Sequence, residues 1–477
     1  MANTNLHKAK RAKNDEFYTR REDIEAELQH YNEHFRGKVV YCNCDDPAES
    51  EFVRYFCRVF RPLGLKKLIA THYDYNEQNY TYSLELDADD DTLPEIITPD
   101  CMMKTPLESN GDFRSASCVE LLKQADIVVT NPPFSLFREY IAQLVEYDKK
   151  FIIIGNKNAI TYKEFFPLLM NDRVWVGHTP MGRDMLFGIP SYIEEEFKSN
   201  ARKGSQYRIV NGVMYARASG CWFTNLDIPK RHETIDLTGN YYDPEVNPKY
   251  DNYDAIEVSK VAEIPIDYEP GYLVPVSYRS QLEDAGFILG HERANAVGER
   301  CVCVCGRRYA GVESGHDTDG VVQRDNGHSD NVHESVQSES VRDTRSGGER
   351  EPLWSEDAGV YDGGVQGTVS GVVREVGDVR FECFECDCGQ EDLQTALGAQ
   401  DEFEYCTGVM GVPITFMNSY CPEQFEIVNA NDYRVSDDVK CKAHGLIKDK
   451  EGVITSERES RTTYARICIR RVTCARK

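Results

Sequence analysis

Between residues 37 and 170, short unbroken apolar runs alternate with amphipathic stretches, and this alternation limits the fold more than any other feature of the chain. The runs GKVVYCNC (37–44), LKKLIATHYD (65–74), DIVVT (126–130) and KFIIIGN (150–156) are β-branched and continuous rather than alternating in polarity. Strands of that kind are buried on both faces. Helical stretches separate them: Phe52, Tyr55, Phe56 and Val59 share one face, VELLKQA (119–125) precedes DIVVT, and SLFREYIAQLVEY and TYKEFFPLLM follow the later runs. Upstream, Ile24, Leu28, Tyr31 and Phe35 form one helical stripe over 21–35. Shorter strands are expected at RVWVGH (173–178) and GCWFTNL (220–226), and an acidic loop at DADDDTLPEIITPD (87–100). The pattern predicts an α/β fold with a parallel sheet covered on both faces. In such sheets ligands bind at the carboxyl ends of the strands.

Charge divides the chain. Residues 271–405 hold 11 Lys+Arg against 27 Asp+Glu, with no Lys, no Met and a single isoleucine, Ile288. Residues 406–477 hold 12 against 9. The middle block is dominated by Gly, Val, Arg, Ser, Asp and Glu, and reads as an acidic, largely disordered insert, since periodic apolar surface to offset its ordering entropy is scarce. Its flanks, YEPGYLVPVSY from Tyr268 and YCTGVMGVPITF from Tyr405, resemble each other, as a duplicated join around foreign sequence would. A net charge of −25 argues against non-specific coating of nucleic acid and leaves room for a local basic cleft. No run of 18 apolar residues is present, and the basic start lacks an apolar core, so neither a membrane span nor a secretory signal is expected. The 17 cysteines then read as cytoplasmic thiols.

Chemistry concentrates at Asn131-Pro132-Pro133-Phe134, directly after DIVVT. Two prolines fix the backbone and remove N–H donors. The strand end is left with an Asn side chain and carbonyl oxygens, an acceptor array for an amino group, beside an aromatic ring. Holding an amine there and turning its lone pair toward an electrophile would activate a poor nucleophile. Phe134 could stack on a base turned out of a duplex.

At this point the sequence resembles the amino-methyltransferases that use S-adenosylmethionine and carry an Asn/Asp/Ser-Pro-Pro-aromatic motif, and within them the EcoRI-type adenine-specific DNA methyltransferases. The resemblance covers roughly 10–269 and 406–430, through KNDEFYTRREDIEAEL, YCNCDDPAESEF, LIATHY, GDFRS, DIVVTNPPFSLF, GNKNAITYKE, CWFTNLD and GVMGVPITF. It implies a Rossmann-like S-adenosylmethionine-dependent sheet over 1–230 and a smaller target-recognition part over 231–270 and 406–477, interrupted by the 271–405 insert. It also implies roles. Phe17, Tyr18 and Thr19 would pack beside the methionine end of the cofactor; Asp45, Asp46 and Pro47 would form the cofactor loop after the first strand. Thr71 and His72 end the second strand, where the family usually places an acidic ribose ligand. Asp112 would bind the cofactor's adenine amino group, and residues 131–134 would hold the target adenine. The implied reaction is adenine-N6 methylation of double-stranded DNA, by a cytoplasmic monomer, with a cognate restriction endonuclease as a possible companion. The first loop lacks the Gly-x-Gly common at such positions, and no acidic residue ends the second strand unless Asp74 reaches. Methylation of an amino or amide nitrogen on RNA or protein, and an inactive DNA-binding relic split by the insert, are the alternatives.

Asp112 also suits a helix cap, and Asp45-Asp46 a plain turn. The clusters Cys301/Cys303/Cys305 and Cys383/Cys386/Cys388 lack a repeating knuckle spacing and are expected to be incidental thiols, with no metal. The basic end, with Arg461, Arg466, Arg470, Arg471, Arg476 and Lys477, is expected to touch phosphates.

Overall fold

The computed structural model describes residues 18–44, 46–73, 81–182, 184–189, 194–200, 203–204, 206–250, 253–295, 297–310, 373–376, 379–383, 388–400, 402–428, 447–448, 454–455 and 464–472. In chain order, β1 (Tyr18–Thr19) and α1 (Arg21–Leu28) precede β2 (Val39–Cys42), α2 (Glu51–Leu63) and β3 (Lys67–Thr71). Then come β4 (Tyr82–Asp87), β5 (Met103–Pro106), α3 (Ala116–Gln124), β6 (Ile127–Thr130), α4 (Phe137–Glu146), β7 (Lys150–Asn156) and α5 (Phe166–Met170). Five strands close this part: β8 (Trp175–Val176), β9 (Met185–Gly188), β10 (Tyr207–Val210), β11 (Val213–Ala218) and β12 (Gly220–Thr224).

Eight strands form one mixed sheet in the order β5-β4-β3-β2-β6-β7-β12-β8. Its centre, β3-β2-β6-β7, is parallel, and the outer strands are antiparallel. Alternate residues serve opposite layers, as the pleat requires. Tyr41, Ile69, Val128 and Ile153 pack against α3 and α4, while Val40, Leu68, Val129 and Ile152 pack against α1 and α2. Burial on both faces is why these strands carry no polar alternation. α2 stops at Gly64, whose φ of 63° supplies the left-handed cap. Because β3 lies on one side of β2 and β6 on the other, the loops leaving β2 and β6 part at the carboxyl edge, the switch point at which open α/β sheets bind ligands.

The stripe over 21–35 is broken into α1, a 3-10 turn at Gln29–Tyr31 and a short helix at Asn32–Phe35, yet all four stripe residues stay buried. β4 and β5 were missed in the sequence: TYSLELD does alternate in polarity, as a half-buried strand should, whereas MKTP of β5 is exposed throughout and carries no such pattern.

Beyond residue 230 come β13 (Lys249–Tyr250), β14 (Tyr253–Glu257), β15 (Gly271–Pro275), α6 (Arg279–Asp284), β16 (Phe287–Ala294) and β17 (Arg300–Ala310). They are followed by β18 (Val373–Val376), β19 (Val379–Cys383), α7 (Cys388–Leu397), β20 (Glu404–Cys406), β21 (Met410–Pro413) and β22 (Phe425–Val428). The last strands are β23 (Ile447–Lys448), β24 (Ile454–Thr455) and β25 (Tyr464–Arg471). One sheet runs β13-β14-β21-β25-β23-β24 with β22 on β25, so strands from either side of 271–405 pair directly. Its Ile256, Met410 and Ile467, with Phe416 of the following 3-10 turn, share a core with α3, α4 and α5, and this core crosses residue 230 without a break.

The stretch 271–405 departs from the expectation of a largely disordered insert at both of its ends. β15, β16, β17, β19, β18 and β20 form a sheet of their own. Tyr272, Val274, Leu282, Phe287, Val302, Val304, Leu393 and Phe403 make a separate core beneath it. Val, Tyr and Phe supply the apolar surface that Ile and Met supply elsewhere; averaging over the whole block hid it. Residues 311–372 lie outside the described residues. The two similar flanks are not one strand cut in two. β15 and β21 belong to different sheets, and their likeness reflects the same local design, a strand ending at Pro and running into a 3-10 turn.

Candidate functional site

The candidate site begins where β2 and β6 end. Thr130 donates its hydroxyl to the carbonyl of Asn43, and Tyr140 of α4 donates to the Asn43 side chain. All three residues are buried, and burial drives the Tyr140 phenol well above its usual pKa, so it remains a donor. These bonds lock the two strand ends together and fix where the chain turns into residues 131–134. Sequence reasoning missed Asn43 and Tyr140. Asn43 was visible as a polar residue after an apolar run, but its partner lies 97 positions away.

On one side of this lock, three loops converge. Asp46 Oδ1 accepts from the backbone N–H of Ala48 at 3.0 Å, which shapes the turn after β2. Its other oxygen lies 3.7 Å from His72 Nε2, just past β3. His72 stacks flat on Tyr82 at 5.1 Å. Gly111 presses on the same place: a Cβ there would sit 1.9 Å from the His72 carbonyl oxygen, so only glycine allows this approach. Asp112 is thereby carried beside the end of β3. Both its oxygens accept from the Arg114 guanidinium, at 2.9 and 2.7 Å, and one accepts from the Arg114 N–H at 2.8 Å. Burial raises the Asp112 carboxyl, but the Arg114 hydrogen bonds outweigh it and hold the pKa below the usual carboxylate value. The cap of α3 is Ser115, which accepts from Cys118 N, so capping does not account for Asp112. Thr71 is buried and bonded to the Tyr41 hydroxyl at 3.1 Å, a packing role. Pro47 is buried in the Asp46 turn; Asp45 lies outside the described residues.

On the other side, Asn131 and Pro132 are buried, and Phe134 is partly exposed at the start of a 3-10 turn, Phe134–Leu136. Phe134 meets the edge of Phe187 at 6.5 Å. Phe187 lies on β9, which pairs with β1, placing Thr19 opposite Phe187 and Tyr18 opposite Gly188. The amino-terminal block thus reaches the Asn-Pro-Pro-Phe turn through Phe187, 168 residues on from its partner Thr19, a link that no local signal in the sequence carries. Thr19 Oγ1 is buried and has no hydrogen-bond partner among the described residues. Phe17 lies outside them.

The expected phosphate contacts of the basic end change. Arg466 is buried on Glu257 at 2.6 Å, Arg470 pairs with Glu426, and Arg471 with Glu269 at 2.5 Å. A guanidinium that enters a core must be paired there, so these three arginines are engaged within the protein. Arg461, Arg476 and Lys477 lie outside the described residues. Cys301, Cys303 and Cys305 are buried on β17, and Cys386 lies outside the described residues. Among the described residues, no group of three or more His, Cys, Asp or Glu side chains could hold a metal ion, and no helix is long and apolar enough to cross a membrane.

A parallel-centred sheet with acceptor side chains gathered at its carboxyl edge is the arrangement at which open α/β sheets bind ligands. The chain matches the family described as adenine-specific methyltransferase EcoRI over residues 5–344 and 400–472, and it belongs to that family. It is 45% identical over 293 residues to Type II methyltransferase M.EcoRI of Escherichia coli, covering 60% of this chain and 87% of that protein. It is 40% identical over 276 residues to Type II methyltransferase M.MpnI of Mycoplasma pneumoniae, covering 57% and 81%. No solved structure matches it. The family match runs through β15, β16 and β17, so these strands are not foreign to the family, and only 345–399 falls between its two parts.

Proposed function

We propose that this protein is a site-specific DNA methyltransferase that carries a methyl group from S-adenosylmethionine to the exocyclic N6 of an adenine turned out of duplex DNA. The observation that carries the reading is Asn131-Pro132-Pro133-Phe134 at the carboxyl end of β6, beside the parting of the loops after β2 and β6, in a chain of this family.

The site fits the cofactor by its chemistry. Asp46 and Asp112 offer carboxylate oxygens to hydroxyl and amino groups, and buried Thr19 Oγ1 can still take a partner. Acceptors of this kind suit a ligand with a sulfonium, an amine and ribose hydroxyls. The bound cofactor supplies an electrophilic methyl group. The protein's own work is positional. The Asn131 side chain and the Pro132 carbonyl accept the two N–H bonds of the adenine amine and turn its lone pair outward. Phe134, braced by Phe187, stacks on the base. The lock between Asn43, Thr130 and Tyr140 keeps that turn from drifting, and alignment of this kind supplies much of the acceleration in group transfer. Neither a side-chain nucleophile nor a metal is required.

The sheet is read as Rossmann-like, residues 1–230 as the catalytic part, and 231–270 with 406–477 as the part that reads sequence in the major groove. The enzyme would act as a monomer in the cytoplasm, alone or beside an endonuclease of the same specificity. Transfer of labelled methyl to duplex DNA, followed by methylation-sensitive sequencing of DNA from an expressing strain, tests the proposal. Label found on RNA or protein and absent from DNA would overturn it.

A further inference from the structure

The hairpin of β10 and β11 has no place in the chemistry above, yet it is built on the same small sheet as the site. That sheet runs β1-β9-β11-β10, so Ala216 of β11 lies opposite Phe187, the residue that braces Phe134. From that anchored base the ribbon runs outward. Val213 lies three residues beyond Ala216, or about 10 Å along an antiparallel strand. The turn is tight: Asn211 has φ 49° and Gly212 φ 80°, the paired positive values of a two-residue hairpin turn.

The tip is apolar and exposed. Ile209 is 54% exposed, Val213 53% and Val210 37%, on a structure whose other β-branched residues are mostly interior. Its surroundings are basic. From residue 201 to 218 the sequence has four basic residues and no acidic one, within a chain of net charge −25. The register puts Arg208 opposite Tyr215, and Val210 opposite Val213, so these share one face, and Arg217 follows on it. Arg20 lies over the Tyr215 ring at 5.6 Å. A cavity of about 1020 Å³ opens along this face, lined by Arg20, Asp184, Arg208, Arg217 and Trp222.

We propose that this hairpin is a wedge: the ribbon enters the groove of the duplex beside the target adenine, and Ile209, Val210 and Val213 press into the base step that the adenine leaves. The proposal rests on the DNA-methyltransferase reading above. A two-stranded ribbon fits the major groove, about 12 Å wide and 8.5 Å deep. Exposed Arg208 on that face would meet a phosphate, while Arg217 and Arg20 are held by Asp184 and Asp23 at 2.6 and 2.8 Å and border the groove as ion pairs. An apolar tip between bases offsets the loss of stacking that turning out a base entails. A second copy of this chain seated on the same tip is the competing occupant, and like charge at the exposed Lys203 and Arg208 of the two hairpins disfavours it.

The test is the triple variant Ile209→Ser, Val210→Ser, Val213→Ser in the full chain, with the Asn211-Gly212 turn kept. The substrate is a duplex bearing the site found by sequencing, prepared also with 2-aminopurine at the target and with an abasic position opposite it. The variant is expected to keep its melting temperature and S-adenosylmethionine affinity. It should lose the 2-aminopurine fluorescence rise and methylate the intact duplex about tenfold more slowly or worse, and recover to within about threefold of wild type on the abasic duplex, where unstacking is largely done. Equal rates for variant and wild type on the intact duplex would overturn the wedge alone. So would an equal loss on both duplexes, or a wild-type dimer in sedimentation that the variant dissolves. A wild type that methylates no duplex at all would overturn the functional reading, and the wedge with it.

Discussion

The eight-stranded sheet and the 271–406 module are both β-rich, but they are stabilised in different ways. The large sheet is a shared structure: its two faces feed two extensive cores, one of which continues into the strands beyond residue 230. The module keeps its core to itself. Every residue of that cluster lies between Tyr272 and Phe403. The chain leaves and returns at one spot, where Gly271 pairs with Cys406 and Gly408, at φ 68°, packs on Pro270. Beyond these backbone points the module touches its host through Arg293, which lies over the Tyr242 and Tyr268 rings, and through the Lys249–Glu404 ion pair; its apolar core, being its own, can change with less effect on the host than a shared core can.

The largest effect is expected where the shared core holds a buried charge. Glu257→Ala would leave Arg466 buried without its carboxylate, with the Tyr250 hydroxyl also orphaned. The expected loss is about 3–5 kcal/mol of stability for the whole enzyme, read as a lowered denaturant midpoint. A loss confined to the module, with catalysis intact, would break the comparison.

Next comes the module's own core. Val304→Ala should destabilise the module by about 1–3 kcal/mol. Hydrogen exchange should quicken in β15, β16 and β17 and stay unchanged in β2, β3, β6 and β7. Quickening in both regions would show one cooperative unit.

Removing the module sharpens the contrast further. Replacing residues 272–405 by Asn-Gly keeps Gly271 and Cys406 as the last pair of a two-residue hairpin, and spares the Glu269–Arg471 pair. The shortened protein should fold and methylate. It should bind DNA more tightly at low salt, because the block removed carries 27 acidic against 11 basic residues. If it folds but has lost methyl transfer, the module contributes to the active enzyme.

The smallest effect concerns Asp112. Asp112→Ala should weaken S-adenosylmethionine binding about tenfold by calorimetry, the scale of one charge-assisted hydrogen bond, and leave DNA affinity alone. Its folded pKa is depressed, so its stabilising contribution is present above the usual value of 3.8 and is lost only as pH falls through the lower folded value. Binding should therefore hold from roughly pH 5 to about pH 8.

Much of the large sheet was legible because a strand buried on both faces writes itself as an unbroken apolar run, as IVVT and FIII do. The Asn-Pro-Pro-Phe turn was legible for the same reason, since it follows such a run. What stayed hidden depends on distance. Phe187 reaches Phe134, and Tyr140 reaches Asn43, only through tertiary packing. The module was misread because its short apolar strands, YLVP and CVCVC, were averaged with the polar stretch between them. The arginines of β25 were misread because a sequence shows their charge and not the carboxylates that face them.

The most direct measurement is methyl transfer by Asn131→Ala to duplex DNA, with S-adenosylmethionine binding followed on the same preparation. Asn131 is buried at the strand end and is proposed to hold the target amine. Transfer should fall by about 2–4 kcal/mol in barrier terms, roughly 30- to 1,000-fold, while cofactor affinity and melting temperature stay at wild-type values. Near-normal turnover in that variant would contradict the assignment of the Asn-Pro-Pro-Phe turn as the place where the adenine amine is held.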